Sequence, residues 1–479
     1  MNLMMLLEMA SDAMGDRVAF QNGDDSLTFR ELYRAAGVAA VQARASAAKH
    51  LAMLDVTSLA LPVGVFAAAW SGLPFVPLSY RLTREELDSL LGQIAPSRLI
   101  TDAERAESLS GLADTEVVTR DDFLKAASHP SAEVSTEPWS MDPDEIAVLL
   151  FTSGTTGPPK AAVIRHKHLV SYILGAVEFM SAEEDDAALV CVPPYHIAAM
   201  ANIASSVYAG RRIVQMPNFT AEGWIELARA ERITNAFVVP TMLARIVDVL
   251  EGESSAGLPD LRAISYGGGK MPQSVIERAM KLFPETNFAN AYGLTETSST
   301  IAILGPEDHR AAMAEIRDEG GRVLGENERG EIYVRGEQVS GEYLGQGSQL
   351  VGDGWFPTRD GGSMDADGYL FLEGRIDDII VRGGENISPG EIEDVLLEHT
   401  AVADAAVVGL PDEQWGEKIV GVVACRPGQS VRVAELQQWV KDRLRSSRTP
   451  ESLEFWGELP YSETGKLLRR KVRAQLMNG

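Results

Sequence analysis

Short apolar runs alternate with amphipathic stretches through much of this 479-residue chain. Residues 221–233 and 272–284 place apolar side chains at the spacing of one helix face. The runs between such stretches have the length of buried strands, and examples are 187–194, 211–217, 234–240 and 261–269. Strands that alternate with helices predict parallel sheets covered by helices, so we expect an α/β fold.

The pattern changes twice in the carboxy-terminal third. From about Asn327, short alternating segments are separated by Gly and Asp turns, which predicts a β-rich subdomain over about 327–376. After Asp377 a second α/β pattern begins, with a helix at 389–400, strands at 401–410 and 417–427, and a helix at 432–445. We therefore predict a large amino-terminal domain over 1–376 and a small α+β domain over 377–479.

Composition narrows the possible partners. The formal net charge is −26 and the pI is near 4.7, which argues against nucleic acid or an anionic membrane as a partner. Two distant cysteines provide neither a disulfide framework nor a zinc-site spacing. The amino terminus has no basic stretch before its apolar run, and the most apolar window, 51–70, contains Asp55 and Pro62. We expect a cytoplasmic protein without a membrane span, with that window as a buried strand, turn and helix.

The most informative segment, FTSGTTGPPK, extends from Phe151 to Lys160 and follows an apolar strand-like run. Glycine lets the backbone approach a phosphate closely, hydroxyls add hydrogen-bond donors, and Lys160 adds a positive charge. The spacing is not that of a Walker A loop. We predict a phosphate-binding loop formed by Thr152, Ser153, Gly154, Thr155, Thr156, Gly157 and Lys160.

This loop resembles the signature of the adenylate-forming superfamily, which includes acyl-CoA synthetases, peptide-synthetase adenylation domains and luciferases. Four further motifs follow in the order typical of that family: NAYGLTE at 290–296, GWFPTRD at 354–360, GRIDDIIVRGGENISPGEIE at 374–393 and TGKLLRR at 464–470. The segment at 374–393 is most similar to aryl- and acyl-CoA ligases, including 4-chlorobenzoate–CoA ligase. The resemblance implies a mobile carboxy-terminal lid with its hinge at Asp377.

The resemblance also implies a nucleotide site. Tyr292 offers a flat face for adenine, Thr295 a hydroxyl for phosphate, and Glu296 a carboxylate for Mg²⁺. Asp360 is suited to the ribose hydroxyls, and Arg375 to ribose or phosphate. The backbone around the nucleotide is expected to come from Gly267, Gly268, Gly269, Asn290, Ala291 and Gly293. Taken singly, Tyr292 with Glu296 is more typical of a structural turn, and Asp360 and Arg375 are more typical of surface charges. The glycines at 267–269 are equally typical of a plain strand-to-helix turn.

Lys466 is the predicted catalytic cation, with Thr295, Glu296 and Lys160. Its ammonium would neutralise the charge that develops when a carboxylate attacks ATP. The implied cycle has two halves: an acyl-adenylate and pyrophosphate form first, and the lid then rotates so that the segment Arg382 to Gly384 lines a thiol tunnel. Asp377 would absorb the backbone change.

CoA is the expected acceptor, so the expected cofactors are ATP, Mg²⁺ and CoA. Arg81 and Trp415 lie where similar ligases contact the CoA nucleotide, and Gly383 and Gly384 would let the pantetheine arm pass. Arg81 reads equally as a helix-start cation and Trp415 as a packing residue. Transfer to an amine or a carrier-protein thiol stays open, as do a non-catalytic nucleotide-binding role and a homodimeric state.

The resemblance places the acid-binding pocket at His196, Ile197, Phe237, Tyr266, Gly267 and Leu294. Small residues beside the site leave room for an aromatic, cyclic or medium-chain acid. No acidic residue stands out to bind a substrate amine.

Three positions depart from the usual motifs. Ala161 follows Lys160 where glycine is common, Arg359 replaces the glycine before Asp360, and Gly269-Lys270 replaces Ala-Pro. Arg359 adds a cation beside the predicted ribose carboxylate, where it would alter the orientation or the partner of Asp360.

Overall fold

A computed structural model describes residues 1–152, 159–269, 271–304, 313–318, 320–366, 368–383, 385–412, 414–444, 446–462 and 466–478. Up to Thr152 the chain forms six helices and seven strands. The helices are α1 (Met4–Met14), α2 (Phe29–Ala45), α3 (Ala60–Ser71), α4 (Arg84–Gln93), α5 (Ala103–Leu109) and α6 (Arg120–Ala127). The strands are β1 (Val18–Asn22), β2 (Asp25–Thr28), β3 (His50–Leu54), β4 (Phe75–Pro77), β5 (Ser97–Thr101), β6 (Thr115–Thr119) and β7 (Ile146–Thr152).

The next part of the chain continues the alternation of strands and helices. Its strands are β8 (Lys160–Arg165), β9 (Ala187–Val190), β10 (Arg212–Gln215), β11 (Asn235–Val238), β12 (Ala263–Gly267), β13 (Asn287–Leu294) and β14 (Ser299–Leu304). Its helices are α7 (His166–Ala176), α8 (Ile197–Ala209), α9 (Ala221–Ala230), α10 (Pro240–Val249) and α11 (Gln273–Leu282).

Strands dominate the described chain from residue 313 to 387. They are β15 (Met313–Arg317), β16 (Gly330–Arg335), β17 (Glu342–Tyr343), β18 (Gly347–Ser348), β19 (Phe356–Met364), β20 (Leu370–Arg375), β21 (Ile380–Arg382) and β22 (Glu385–Ile387). The last elements are α12 (Pro389–Leu397), β23 (Val402–Asp412), β24 (Gly416–Cys425), α13 (Val433–Arg443), β25 (Ser452–Phe455) and α14 (Arg469–Asn478).

Two eight-stranded sheets form the amino-terminal part. The first sheet has the strand order β14-β13-β12-β11-β9-β10-β1-β2, with β2 and β14 antiparallel to their neighbours and the other pairs parallel. The second sheet has the order β18-β17-β8-β7-β4-β3-β5-β6. Helices pack their apolar faces against these sheets, as expected when strands and helices alternate along the chain.

The remaining strands form two smaller sheets. A four-stranded antiparallel sheet has the order β15-β16-β19-β20, and it begins at Met313, earlier than the change of pattern near Asn327 suggested. The carboxy-terminal sheet has the order β22-β21-β24-β23, with β25 paired to β24. Ile392 of α12, Val407 of β23 and Leu436 of α13 are buried together in its own hydrophobic core. The predicted fold class, a large α/β part with a β-rich portion and a small α+β domain, is confirmed.

The apolar window 51–70 forms β3 and α3, which confirms the expected buried strand, turn and helix. Helix α3 is buried on nearly every face, and a Cβ on Gly64 would lie 3.1 Å from the Phe75 ring. Within the described residues, no helix combines the length and apolarity that a membrane crossing requires. Residues 344–346 connect the two strands of the β17–β18 hairpin, in which Gly347 pairs with Tyr343.

Candidate active site

The carboxyl ends of β11, β12 and β13 lie side by side in the first sheet. Phe237 pairs with Ser265, Tyr266 with Asn290, and Gly267 with Ala291. Ligands of open α/β sheets bind at such strand ends. This register therefore brings the predicted pocket residues and the NAYGLTE segment to one edge.

Two glycines are required at this edge because the neighbouring backbone comes too close for any side chain. A Cβ on Gly267 would lie 2.3 Å from the Ala291 carbonyl oxygen, and one on Gly293 only 1.7 Å from that of Ser299. Gly293 lies at a register shift between β13 and β14. The glycines therefore let neighbouring backbone segments approach closely just before the turn that carries Glu296.

Glu296 lies in a single turn of 3-10 helix, Thr295–Thr297, directly after β13. The Thr297 hydroxyl accepts a hydrogen bond from the Leu294 N–H at 2.9 Å and is fully buried. The backbone N–H groups of Ser340 and Gly341 both donate to the Glu296 carbonyl, at 2.8 and 3.2 Å. The turn that carries Glu296 is thus fixed by a segment from a different sheet.

The Glu296 carboxylate accepts a short hydrogen bond at Oε1 from the Tyr343 phenol. Burial, and then the nearby Glu296 charge, raise the pKa of Tyr343, so its hydroxyl stays protonated and donates. The ammonium of Lys160 lies 5.6 Å from the centroid of the same ring. Tyr343 therefore connects two predicted site residues that are far apart in sequence.

Asp360 is aimed into the site by a β-bulge. Tyr333 pairs with Pro357 and Glu331 with Gly361, so three residues of β19 oppose the single residue Ile332 of β16. Arg359, at the centre of the bulge, has a φ of 61°, in the left-handed region that glycine favours. The glycine that similar motifs carry at this position matches the backbone that the structure requires.

The Asp360 carboxylate has two protein partners. Tyr292 donates its phenol to Oδ2 at 2.7 Å, and Arg375 Nε lies 3.2 Å from Oδ1. Arg375 also donates to the Thr358 carbonyl at 2.8 Å. Burial, and then the Asp360 charge, raise the pKa of Tyr292 well above its ordinary value. Tyr292, Asp360 and Arg375, the residues predicted to contact adenine, ribose and phosphate, therefore form one polar network.

Lys466 of the carboxy-terminal part reaches this network. Its backbone N–H donates to the Ser462 hydroxyl at 3.0 Å, next to a bridge between Tyr461 and Leu467. Solvent reaches Lys466, yet protein surrounds it closely enough that burial lowers its pKa, as does the positive charge of Arg375. The negative charges of Asp360 and Glu296 act in the opposite direction. Lys466 is therefore near enough to Arg375, Asp360 and Glu296 for their charges to affect its ammonium.

His196 is the residue immediately before α8, and the α8 residue Ile197 follows it. Burial, and then the charge of Lys466, lower the pKa of His196 to about 3, so the imidazole is neutral at physiological pH. Its Nε2 atom is buried and has no hydrogen-bond partner among the described residues. A neutral imidazole with a free nitrogen is suited to contact a bound molecule.

Three of the pocket candidates lie at or near the ends of the adjacent strands β11, β12 and β13. Phe237 is partly buried against the main core, Tyr266 is 7% exposed, and Leu294 is 9% exposed. Burial raises the pKa of Tyr266. The buried Cys191 thiol lies 3.8 Å from the Phe237 carbonyl oxygen.

A series of ring contacts connects Arg81 to His196. The Arg81 guanidinium carbon lies 5.7 Å from the Tyr80 ring centroid. The Tyr80 and Tyr195 rings are 5.6 Å apart, and those of Tyr195 and His196 are 5.3 Å apart. Arg81 precedes α4, whose cap is Thr83, so its side chain is not part of the helix.

The predicted acceptor residues Trp415 and Gly383 lie together in the carboxy-terminal sheet. The Gly383 N–H donates to the Trp415 carbonyl at 2.8 Å, and the Arg382 guanidinium lies 4.9 Å from the Trp415 ring. The Trp415 side chain is 43% exposed, which leaves one face for a ligand. The predicted hinge, Asp377, is exposed within the 3-10 turn Ile376–Asp378.

Several predicted residues lie outside the described part of the chain. The ends of the phosphate loop are described, since Thr152 of β7 pairs directly with Lys160 of β8. The residues for which the structure gives no description are Ser153, Gly154, Thr155, Thr156, Gly157, Lys270 and Gly384.

The carboxylates suit a magnesium ion only in part. Among the described residues, no group of three or more His, Cys, Asp or Glu side chains could hold a metal ion. Glu296 alone offers an oxygen beside the phosphate loop. Mg²⁺ is commonly held by one or two carboxylates together with substrate phosphates, so the donor set fits an ion that binds with a nucleotide.

Sequence reasoning did not find Tyr343. It lies between the recognised motifs, in a two-residue strand, and no spacing rule connects it to Glu296 or Lys160. Only the pairing of Tyr343 with Ala162 of β8 indicates its place.

Two models of known protein families match this chain, one after the other along the sequence. The model of the AMP-binding enzyme family matches residues 7–344, and that of the AMP-binding enzyme C-terminal domain matches residues 391–466. The two matches include Glu296, Tyr343 and Lys466, whereas Asp360 and Arg375 lie between the two matched regions.

Two curated proteins and one solved structure are similar over most of the chain. The fatty acid–[acyl-carrier-protein] ligase ScoC of Streptomyces coeruleorubidus is 32% identical, over 85% of this chain and 83% of that protein. The feruloyl-CoA synthase of Amycolatopsis sp is 30% identical over 95% of each. The o-succinylbenzoate CoA synthetase of Bacillus subtilis, solved with its acyl-adenylate intermediate, has a TM-score of 0.86 and 27% identity, with 98% of this chain and 97% of that chain covered.

Proposed function

The chain belongs to the family of AMP-binding enzymes, and from this premise we propose that it is an acid–thiol ligase. It activates a carboxylic acid with ATP, releases pyrophosphate, and transfers the acyl group to the thiol of CoA. The observation that supports this proposal is that the charges of Arg375, Asp360 and Glu296 all act on the ammonium of Lys466.

In the first half-reaction, a carboxylate oxygen attacks the α-phosphorus of ATP and forms an acyl-phosphate bond. The bond between that phosphorus and the oxygen bridging to the β-phosphate breaks, and pyrophosphate leaves with the electron pair. We assign Lys466 to the charge that accumulates on the reacting oxygens. Preorganised groups of this kind contribute roughly 3–4 kcal/mol to the transition state.

The other nucleotide roles follow from the network. Asp360 and Arg375 are assigned to ribose and phosphate, and the face of Tyr292 to adenine. A magnesium ion at Glu296 would neutralise phosphate charge and fix the phosphate geometry. Thr295 and Lys160, with the loop between Thr152 and Lys160, are assigned to the phosphates.

The substrate we propose is an aromatic, cyclic or medium-chain acid. Phe237, Tyr266 and Leu294 supply an apolar wall, and the free Nε2 of His196 supplies one polar contact. Relatives at 30–32% identity are named for a hydroxycinnamic acid, an aryl-containing diacid and fatty acids, which supports this range without narrowing it.

In the second half-reaction, the CoA sulfur attacks the acyl carbon, the thiol proton is lost, and AMP leaves. We propose that the carboxy-terminal part rotates about Asp377, withdraws Lys466 and brings Gly383 and Gly384 to the thiol path. Arg81 and the exposed face of Trp415 are assigned to the CoA nucleotide. The partner molecules are thus the acid, ATP and CoA, in a cytoplasmic setting.

A carrier-protein thiol is the second candidate acceptor. The relative named as a fatty acid–[acyl-carrier-protein] ligase is the specific observation in its favour. An amine acceptor, like a homodimeric assembly, stays a further possibility from the sequence.

The test incubates purified protein with Mg²⁺, ATP and a panel of aromatic, alicyclic and fatty acids, with and without CoA. Products are identified by mass spectrometry. Acyl-CoA from one class of acid supports the proposal. Acyl-adenylate that accumulates while CoA stays unused contradicts CoA transfer and points to the carrier or amine acceptor. An absence of both products contradicts adenylation itself.

A further inference from the structure

Tyr343 occupies a place where three parts of the site meet. Its strand, β17, joins the second sheet through the pair Tyr343–Ala162, and the Leu344 N–H donates to the Ala161 carbonyl at 2.8 Å. Side chains alternate along a strand. Glu342 therefore points away and forms a two-bond ion pair with Arg165, at 2.7 and 2.9 Å, while Tyr343 points towards Glu296 and Lys160.

The strand is held on both sides. The Ser340 hydroxyl donates to the Val163 carbonyl of β8, and the N–H groups of Ser340 and Gly341 donate to the Glu296 carbonyl. The backbone around Tyr343 is thus held in place by contacts that do not involve the Tyr343 side chain. A ring held in this way can orient its neighbours rather than follow them.

Two neighbours depend on the Tyr343 side chain. The phenol donates to Glu296 Oε1. Lys160 Nζ lies 5.6 Å from the ring centroid, within cation–π distance. The hydroxyl and the ring therefore act on different residues.

We propose that Tyr343 is a positioning residue of the nucleotide site. Its hydroxyl orients the Glu296 carboxylate, which would supply an oxygen to a metal–nucleotide complex, and its ring orients the Lys160 ammonium. The inference rests on the proposed function, because Glu296 matters in this way only if a metal–nucleotide complex binds there.

The test separates hydroxyl from ring. Tyr343→Phe removes only the hydrogen bond to Glu296, and Tyr343→Leu removes the ring contact as well. Tyr333→Phe is the matched control, because Tyr333 also contacts a cation and a carboxylate but is not assigned to the site. The Arg317 guanidinium carbon lies 4.7 Å from the Tyr333 ring centroid, and the carboxylate is that of Glu331. Two quantities are measured for each protein: ATP binding as a function of Mg²⁺ by calorimetry, and the kcat and KM of pyrophosphate release.

We expect Tyr343→Phe to raise the Mg²⁺ concentration needed for half-maximal ATP binding about tenfold, the lower end of what partners of metal ligands contribute. The KM for the acid should stay unchanged. Tyr343→Leu should lose about threefold more in kcat, the size of a partly exposed cation–π contact. Adding Tyr343→Phe to Glu296→Gln should cause no further loss, because the hydroxyl acts through that carboxylate.

An unchanged Mg²⁺ requirement in Tyr343→Phe, or a fully additive double variant, would overturn the inference. A loss in Tyr333→Phe equal to that in Tyr343→Phe would also overturn it, since the effect would then be general to the fold. ATP binding needs no acid. The binding measurement therefore judges Tyr343 even where no acid yields product, in which case the proposed function alone fails.

Discussion

The ammonium of Lys466 acts on the imidazole of His196, although the two residues belong to different parts of the fold. Burial is the larger cause and the Lys466 charge the smaller, and together they lower the pKa of His196 to about 3. The imidazole is therefore neutral at any pH well above 3. The pair offers a bound acid one positive charge and one neutral hydrogen-bonding group.

Replacement of Lys466 by Ala should abolish acyl-adenylate formation while ATP binding stays largely intact. Loss of one preorganised charged donor corresponds to a fall in kcat of about 10²–10³-fold. Pyrophosphate release with a saturating acid gives the rate, and calorimetry gives the ATP affinity. Lys471→Ala, in the same basic tail, is the control and should keep the wild-type rate. Unchanged pyrophosphate release in Lys466→Ala would remove Lys466 from the mechanism.

The same lysine predicts how activity depends on pH. Burial and Arg375 lower the pKa of Lys466 below its ordinary 10.5, so adenylation should decline at a pH below the usual lysine range as the ammonium loses its proton. Lys466→Arg stays charged there, and its alkaline decline should shift to higher pH. Identical alkaline limbs in the two pH–rate profiles would contradict this assignment. His196 should contribute no inflection between pH 5 and 9.

A second histidine predicts how stability depends on pH. Burial first, and then Lys167 and Arg165, lower the pKa of His168 to about 4 from an unfolded value of 6.5. The unfolded chain takes up this proton as pH falls through 6.5, whereas the folded protein does so only near 4. Stability is therefore complete above about pH 6.5 and is lost as pH falls towards 4, by roughly 2 kcal/mol at pH 5.

His168→Gln should remove that part of the loss. The His168 ring accepts the Arg165 N–H at 3.2 Å, and glutamine at the same helix position can accept it as well. Urea unfolding midpoints at pH 7 and pH 5 give the comparison, with the exposed His129→Gln as control. An equal midpoint shift in the wild type and His168→Gln would show that His168 does not contribute.

The bulge at Arg359 predicts an effect of backbone strain. The φ of 61° disfavours any residue with a Cβ, so Arg359→Gly should be more stable than Arg359→Ala by about 1 kcal/mol. Both variants remove the guanidinium, so their difference isolates the backbone. Chemical denaturation of both proteins measures it. Equal stability would mean that the bulge does not hold this conformation in solution.

Asp377→Pro tests the hinge. Proline fixes φ, so a residue that must change its backbone angles can no longer do so. The charges of Asp360 and Glu296 act on Lys466, as the proposed first half-reaction requires, and the Ser388 hydroxyl donates across the predicted boundary to the Glu373 carbonyl at 2.8 Å. We expect pyrophosphate release to persist and acyl transfer to stall. Equal loss, or no loss, in both half-reactions would contradict a hinge at this residue.

Much of the fold was predictable because the pattern of apolar positions is local. The runs at 187–194, 234–240 and 261–269 contain β9, β11 and β12, and the stretches 221–233 and 272–284 contain α9 and α11, since each period matches one backbone geometry. The boundaries were less accurate where turn chemistry decides them. The β17–β18 hairpin and the early start of β15 depend on pairing with distant strands.

The site divides in the same way. The motifs identified Glu296, Asp360 and Lys466 from the sequence, because the residue types and their order carry that information. Only the tertiary structure brings Lys160, Glu296 and Tyr343 together. Only the tertiary structure lowers the pKa of His196, first by burial and then through the charge of Lys466. Sequence records which groups are present, whereas distances between side chains from different sheets, and the burial that sets their charge, exist only after the sheets pack.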